Sequence, residues 1–264
     1  MSGAEADSGP KTRFRWPLSR QRAVELIVVI FGVLIALGLE NLIEEIRLRG
    51  DAMELERAFD ADLGEAVQLS LERQAVSPCL VGRLKALEQR VLTPGDLAAP
   101  VPAASGGSIT FALPAPYRAP TRVWITSSFD RALGTEALKR IPRERADSYA
   151  GVFAQIVTRQ QANDDEFFAV AGLAPLVPAQ GELDPEVRAD LLRQLALLDR
   201  HQALAAIQGR QIISAVMAMP VGERIRAELR EGHVGTEWLA GLRSTYGDCV
   251  DTTAVRRLLV APDE

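Results

Sequence analysis

The chain has 264 residues and a formal net charge of −5, with 47% hydrophobic and 25% charged residues. The apolar fraction excludes an intrinsically disordered protein, and the excess of acidic over basic residues does not fit a nucleic-acid-binding protein. Two cysteines and two histidines are too few for a zinc scaffold or a disulfide-dense mini-domain. A single apolar run approaches about 20 residues, which excludes a polytopic transporter.

This apolar run extends from Ala23 to Leu39 and is lengthened by Leu42 and Ile43. Glu25, near its N-terminal end, is the only charged residue up to Leu39. An α-helix rises about 1.5 Å per residue, so roughly 17–21 residues match a hydrocarbon core of about 30 Å. The run therefore predicts a single transmembrane helix at residues 23–43.

Two other interpretations of the run stay open. A helix buried in a soluble core can be equally apolar, although it usually has one polar edge. A cleaved signal peptide is the second, since Ala36-Leu37-Gly38 resembles a small-x-small cleavage site behind a basic segment. Against cleavage, the helical pattern continues without a break through residues 40–45, whereas a cleavage site normally lies in extended chain.

Basic residues flank the run unequally, which predicts its orientation in a membrane. They are Lys11, Arg13, Arg15, Arg20 and Arg22 before the run, and Arg47, Arg49 and Arg57 after it. The positive-inside rule then places the N-terminus in the cytoplasm. We expect a basic cytoplasmic tail at residues 1–22 and an extracytoplasmic domain at residues 44–264. In a bacterium this is a single-pass protein of the inner membrane, with its main domain in the periplasm.

The stretch from Glu25 to Asn41, followed by a charged helix, resembles the N-terminus of a family of uncharacterised bacterial single-pass membrane proteins with a domain of unknown function. A second similarity is Trp124-Ile-Thr-Ser-Ser128, followed by Ala137-Leu138 and the helix of Tyr149. Together these similarities cover residues 20–75 and 120–160. The resemblance implies a membrane helix that leads into a helical extracytoplasmic domain, and it implies no chemistry.

Beyond the run, a narrow apolar seam predicts that the same helix continues to about residue 75. The seam recurs at steps of three and four: Leu48, Ala52, Leu55, Phe59, Leu63, Ala66 and Ser70. We favour packing of this seam inside the chain's own bundle. The alternative is a parallel coiled coil in a homodimer, which Gly32 and Ala36 support by their small-xxx-small spacing in the membrane.

The remaining chain predicts further helices, so the expected fold is mainly α, an antiparallel bundle continuous with the membrane helix. Pro78 is expected to start a short helix at 79–91. The Pro/Gly-rich stretch 93–120 predicts a long loop with a strand at 109–113, held by Phe111 and Tyr117. Asp184-Pro185-Glu186 is typical of a helix start. The other helices are expected at 121–140, from Pro142 to about 172, from 185 to 219, and at 221–231, 235–245 and 251–260.

Cys79 and Cys249 are candidates for a disulfide. Both lie on the side of the membrane that the orientation makes oxidising, and each is next to a turn. Two buried free thiols are the alternative.

A weak ligand site is suggested by polar residues on the inner stripe of the Tyr149 helix. Gln160 and Asn163 continue this stripe, and buried amides need partners. They predict a polar layer or a small ligand site near Arg122 and Trp124. The alternative is a slightly rotated helix whose amides face water.

Catalytic and metal chemistry find little support in the sequence. His201 lies at the edge of an apolar stripe and His233 in a turn, and neither has a metal-ligand spacing or a nucleophile motif around it. Asp164-Asp165-Glu166 is an acidic run that we expect to be solvated. No catalytic residue, metal site or cofactor is predicted.

The sequence therefore favours a non-enzymatic, membrane-anchored helical protein that acts by contact with an unidentified envelope protein. A ligand-sensing bundle coupled to a membrane partner is the alternative, and a hydrolase is a weaker one. The predicted partners are the lipid bilayer and a second copy of the chain, which would form a homodimer through the membrane helix and its extension. Nucleic acid is not a predicted partner.

Overall fold

The computed structural model describes residues 20–93, 103–106, 109–114, 117, 119–177, 182–230, 237–251 and 253. The chain divides into two compact units, with the boundary between Gly50 and Asp51. Residues 1–19 of the predicted cytoplasmic tail lie outside the described residues.

Helices dominate the described residues, which confirms the mainly α prediction. They are α1 (Arg20–Leu92), α2 (Ser127–Ala132), α3 (Glu136–Arg140), α4 (Arg143–Ala171), α5 (Pro185–Met217), α6 (Pro220–Arg230) and α7 (Leu239–Tyr246). Two short strands, β1 (Ala103–Gly106) and β2 (Ile109–Pro114), form an antiparallel hairpin between α1 and α2 in the sequence. The strand at 109–113 was expected, but its partner β1, which consists of small residues, was not.

Helix α1 is long and apolar enough near its N-terminus to cross a membrane. Residues 24–44 are all exposed, whereas a helix in a soluble core would be buried. The described structure therefore does not bury this segment in a core, and the signal-peptide interpretation stays open. Helices α5 and α6 pass the same test of length and composition together, with a bend of 109°, but Leu191 and Leu198 of α5 are fully buried in the core.

Helix α1 continues through Pro78, so the prediction that a new helix starts there is wrong. A proline inside a helix removes the N–H that would bond to the carbonyl four residues earlier. Pro78 is exposed, so its ring meets solvent rather than a neighbouring helix. The carbonyl oxygen of Ala75, in the preceding turn, accepts a hydrogen bond from the Asp251 N–H at 2.8 Å. A segment from the far end of the chain thus binds α1 in the turn before the proline.

The apolar seam of α1 packs inside the second unit, as the intramolecular interpretation predicts. Ala52, Phe59, Leu63, Ala66 and Ser70 are buried. Phe59 makes edge contacts with the rings of Tyr149 and Phe153 of α4, at centroid distances of 5.1 and 5.6 Å. A homodimer through Gly32 and Ala36 stays a prediction.

The elements after the hairpin follow the sequence signals closely. The Asp184 carboxylate accepts the Glu186 N–H at 2.8 Å and caps α5, as its Asp-Pro-Glu start predicts. Tyr117 is buried, as expected for a residue that holds the loop in place. The side chain of Phe111, the turn of His233 and nearly all of the helix expected at 251–260 lie outside the described residues.

Cys79 and Cys249 form a disulfide, with their Cα atoms 5.2 Å apart and 170 residues apart in sequence. It lies one turn from the hydrogen bond between Asp251 and Ala75. The bond therefore joins the C-terminal segment covalently to α1.

Replacing both cysteines by serine should lower the free energy of unfolding by up to about 5 kcal/mol, because the bridge closes a long loop in the unfolded chain. Denaturant unfolding of the oxidised full-length chain in detergent, beside the C79S/C249S variant, measures this. Reductant should change the stability and gel mobility of the wild type and leave the variant unchanged. Free alkylation of both thiols in the unreduced, denatured wild type would contradict the bridge.

Candidate functional site: a buried charge layer

A layer of polar side chains separates two hydrophobic clusters in the core. One cluster includes Leu71 and Ile156, and the other includes Ala75 and Ala169. On α1, Arg73 lies between Leu71 of the first cluster and Ala75 of the second. On α4, buried polar and charged residues lie between Ile156 and Ala169. We call Arg73, Arg159, Glu166, Tyr117 and Gln202 the charge layer. All five are buried, and Arg73 and Arg159 are each only 2% exposed.

The Glu166 carboxylate is the centre of the charge layer. Its Oε1 accepts hydrogen bonds from Arg73 Nη2 at 2.7 Å, from Tyr117 OH at 2.7 Å and from Gln202 Nε2 at 2.6 Å. Gln202 Nε2 also contacts the Tyr117 hydroxyl. Because these side chains come from α1, α4, α5 and the segment before α2, one carboxylate joins four parts of the domain.

Arg159 is bound less completely than Arg73. Its Nη2 lies 3.8 Å from Glu166 Oε2, within ion-pair range but too far for a hydrogen bond. Its guanidinium carbon lies 5.7 Å from the ring centroid of Trp124, a cation–π contact. Among the described residues, Arg159 has no hydrogen bond from its side chain. Arg73 Nε and Nη1, Arg159 Nε and Glu166 Oε2 are buried without a hydrogen-bond partner there.

Burial shifts the pKa of two residues of this layer, Arg159 and Tyr117. It lowers the pKa of the Arg159 guanidinium to about 10, helped by repulsion from Arg73, so Arg159 is charged at neutral pH. Burial, and then the nearby Glu166 charge, raise the pKa of Tyr117, so its hydroxyl remains a donor. Two guanidiniums and one carboxylate give the layer a formal charge of +1.

A second carboxylate, Glu72, binds two segments that lie far apart in the sequence. It accepts hydrogen bonds from Arg122 Nη2 at 3.0 Å and from Tyr246 OH at 2.7 Å. The Glu72 carboxylate, first by hydrogen bonding and then by its charge, raises the pKa of Arg122. Adjacent residues of α1, Glu72 and Arg73, thus hold the segment before α2, α7 and α4 in place.

The residues predicted to form a ligand site have separate roles in the structure. Arg122 pairs with Glu72, while the Trp124 N–H donates to Gln160 Oε1 at 2.9 Å. Asn163 is buried, and its Oδ1 has no partner among the described residues. The burial of Asn163 fits the predicted polar layer, whereas Gln160 is only half-buried. Two clefts of the described surface are lined by other residues, one by Leu183 and Arg188 around the start of α5 and one by Gln155 and Gln208 between α4 and α5.

The acidic run at 164–166 is not uniformly solvated, so that prediction is wrong for Glu166, which is fully buried. Gln160 lies one residue past the buried stripe, and so does Phe167, which is 46% exposed. The buried stripe instead runs at steps of three and four: Tyr149, Val152, Ile156, Arg159, Asn163, Glu166 and Val170. This periodicity is the sequence signal that identifies the buried face of α4. It identifies Arg159 and Glu166 only when charged residues are accepted as core residues.

The candidate catalytic and metal residues have no described constellation around them. His201 is half-buried and has no hydrogen bond or ion pair within the described part of the chain. The same part contains no group of three or more His, Cys, Asp or Glu side chains that could hold a metal ion. His233 lies outside the described residues.

Comparison with known proteins gives no assignment for this arrangement: no family model, curated protein or solved structure matches the chain. The resemblance to bacterial single-pass proteins therefore stays a prediction. Chemically, the charge layer can fix the positions of helices and attract an anion.

Removing the Glu166 carboxylate should be far more costly than removing its exposed neighbour. Glu166→Ala leaves Arg73 and Arg159 buried without a counter-charge, so we expect a loss of about 3–5 kcal/mol of unfolding free energy. Asp165→Ala, on the exposed face of the same turn, should cost less than about 0.5 kcal/mol. Denaturant unfolding of the full-length chain in detergent compares them. Equal losses would show that Glu166 does not hold the layer together.

Proposed function

We propose that this protein is a non-enzymatic, membrane-anchored helical protein that acts by contact with other components of a bacterial cell envelope. The observation that carries the proposal is α1, one helix that holds both the exposed apolar segment and a core strip of the bundle. Since the bundle cannot leave this helix without unfolding, whatever binds to the bundle is held at the membrane.

The proposed location is the inner membrane, with the N-terminus in the cytoplasm and the bundle in the periplasm. The basic residues before the span favour this orientation. The bond between Cys79 and Cys249 supports it, because disulfides persist in oxidising compartments and are rare in the cytosol.

Contact with a protein partner is supported by apolar side chains on the surface of the bundle. Val123 is 76% exposed, Phe168 71% and Leu133 58%. Large apolar and aromatic side chains supply much of the binding energy of protein interfaces when they become buried. The partner is a protein of the envelope, because the span confines the bundle to the membrane surface.

The lysines of the chain allow one experiment to test both location and contact. They are Lys11 in the basic tail and Lys85 and Lys139 in the bundle, and the latter two are exposed. A membrane-impermeant, amine-reactive crosslinker is added to spheroplasts, and the modified lysines and crosslinked proteins are identified by mass spectrometry. We expect modification of Lys85 and Lys139 but not Lys11, and crosslinks from the first two to a reproducible set of envelope proteins.

Two variants separate specific contact from mere proximity in the membrane. Glu166→Ala, which weakens the bundle, should lose the crosslinks, while Asp165→Ala should keep them. Crosslinks that are equally strong in both variants, or absent in the wild type, would contradict a contact function. Modification of Lys11 with protection of Lys85 and Lys139 would reverse the orientation.

A further inference from the structure

The charge layer carries more positive charge than the described side chains neutralise. Arg73 and Arg159 are both almost fully buried, and both face the single carboxylate of Glu166. Water cannot cancel a formal charge, and a buried charge without a counter-ion is costly. The imbalance therefore calls for an anion.

The hydrogen-bonding pattern shows where the imbalance lies. Glu166 Oε1 is saturated by three donors, from Arg73, Tyr117 and Gln202. Arg73 Nε and Nη1 and Arg159 Nε are left as buried donors without a partner among the described residues. Both arginines lie against the same carboxylate. Since guanidinium groups bind anions through such N–H donors, the free donors of this pair are suited to an anion.

We propose that a small monovalent anion, of the size of chloride, binds in the core against the guanidinium groups of Arg73 and Arg159. The anion supplies the second negative charge that the layer lacks, and it accepts hydrogen bonds from the unpaired N–H groups. The nearby Glu166 Oε2, Gln202 Oε1 and Asn163 Oδ1 are themselves acceptors without a described partner. Because acceptor oxygens repel an anion, they limit the site to a single small anion. These oxygens take their own hydrogen bonds from water. The inference does not depend on the proposed contact function.

An anion that binds the folded chain and not the unfolded chain raises stability with its concentration. The test uses the oxidised full-length protein in a neutral detergent, first in sodium gluconate, whose anion is too large for the core. Sodium chloride or bromide then replaces gluconate at constant ionic strength, and the thermal unfolding midpoint is followed by circular dichroism. We expect the midpoint to rise and saturate with chloride and bromide. Identical midpoints in all three salts would overturn the proposal and leave water alone in the layer.

Matched arginine variants distinguish this site from a general salt effect. Arg159→Met removes one guanidinium and should abolish the chloride dependence, whereas Arg193→Met, at an arginine that is 72% exposed on α5, should keep it. Equal chloride dependence in both variants would overturn the proposal. If Arg159→Met does not fold, Glu166→Gln provides a second test. This change removes one negative charge and so raises the net charge of the layer by one unit. Half-maximal stabilisation should then need a lower chloride concentration. An unchanged or higher chloride concentration at half-maximal stabilisation would also overturn the proposal.

Discussion

The ion pair between Arg73 of α1 and Glu166 of α4 is the interaction on which the arrangement of the bundle depends. Both side chains are almost completely buried, and Nη2 and Oε1 are 2.7 Å apart. Apolar contacts tolerate a shift of one helix along another, since one leucine can replace another at nearly the same cost. A buried charge tolerates no such shift, because a displaced Arg73 would lie among apolar side chains without its carboxylate. The pair therefore fixes the register of α1 against α4.

Other features of the domain follow from this fixed register. Gln202 brings α5 to the same carboxylate, and Tyr117 brings the segment that leads into α2. One residue earlier on α1, Glu72 binds Tyr246 of α7. Less than two turns later, Cys79 forms the disulfide with Cys249 in the segment after α7. A short stretch of α1 thus contacts most parts of the domain. The same helix carries the apolar segment that is suited to a membrane.

Much of this fold could be predicted, because its signals are local in sequence. The Asp184 cap, the buried position of Gln202 on the α5 stripe and the inward packing of Phe59 and Leu63 all follow from helical periodicity and capping chemistry. The cysteine pair could be proposed because only one pairing is possible. These predictions need no knowledge of how distant segments meet.

The rest depended on contacts between segments far apart in the chain. Glu166 lies in an acidic run, and its burial is made favourable by residues distant in sequence, such as Arg73, 93 residues earlier. Arg159 lies on the buried stripe of α4, where arginine is an unusual core residue. The sequence around Pro78 indicates a break, but α1 continues through it, with the proline ring exposed. For the buried charges, the deciding partner is invisible to a local pattern.

A double-mutant cycle between Arg73 and Glu166 tests the central claim most directly. Arg73→Met, Glu166→Gln and the double variant are unfolded with denaturant, beside the same cycle for the exposed pair of Arg193 and Asp190 on α5. We predict a coupling free energy of about 1–3 kcal/mol for the buried pair and roughly 0–0.5 kcal/mol for the exposed pair. Coupling near zero for Arg73 and Glu166 would mean that their ion pair does not set the register of the bundle.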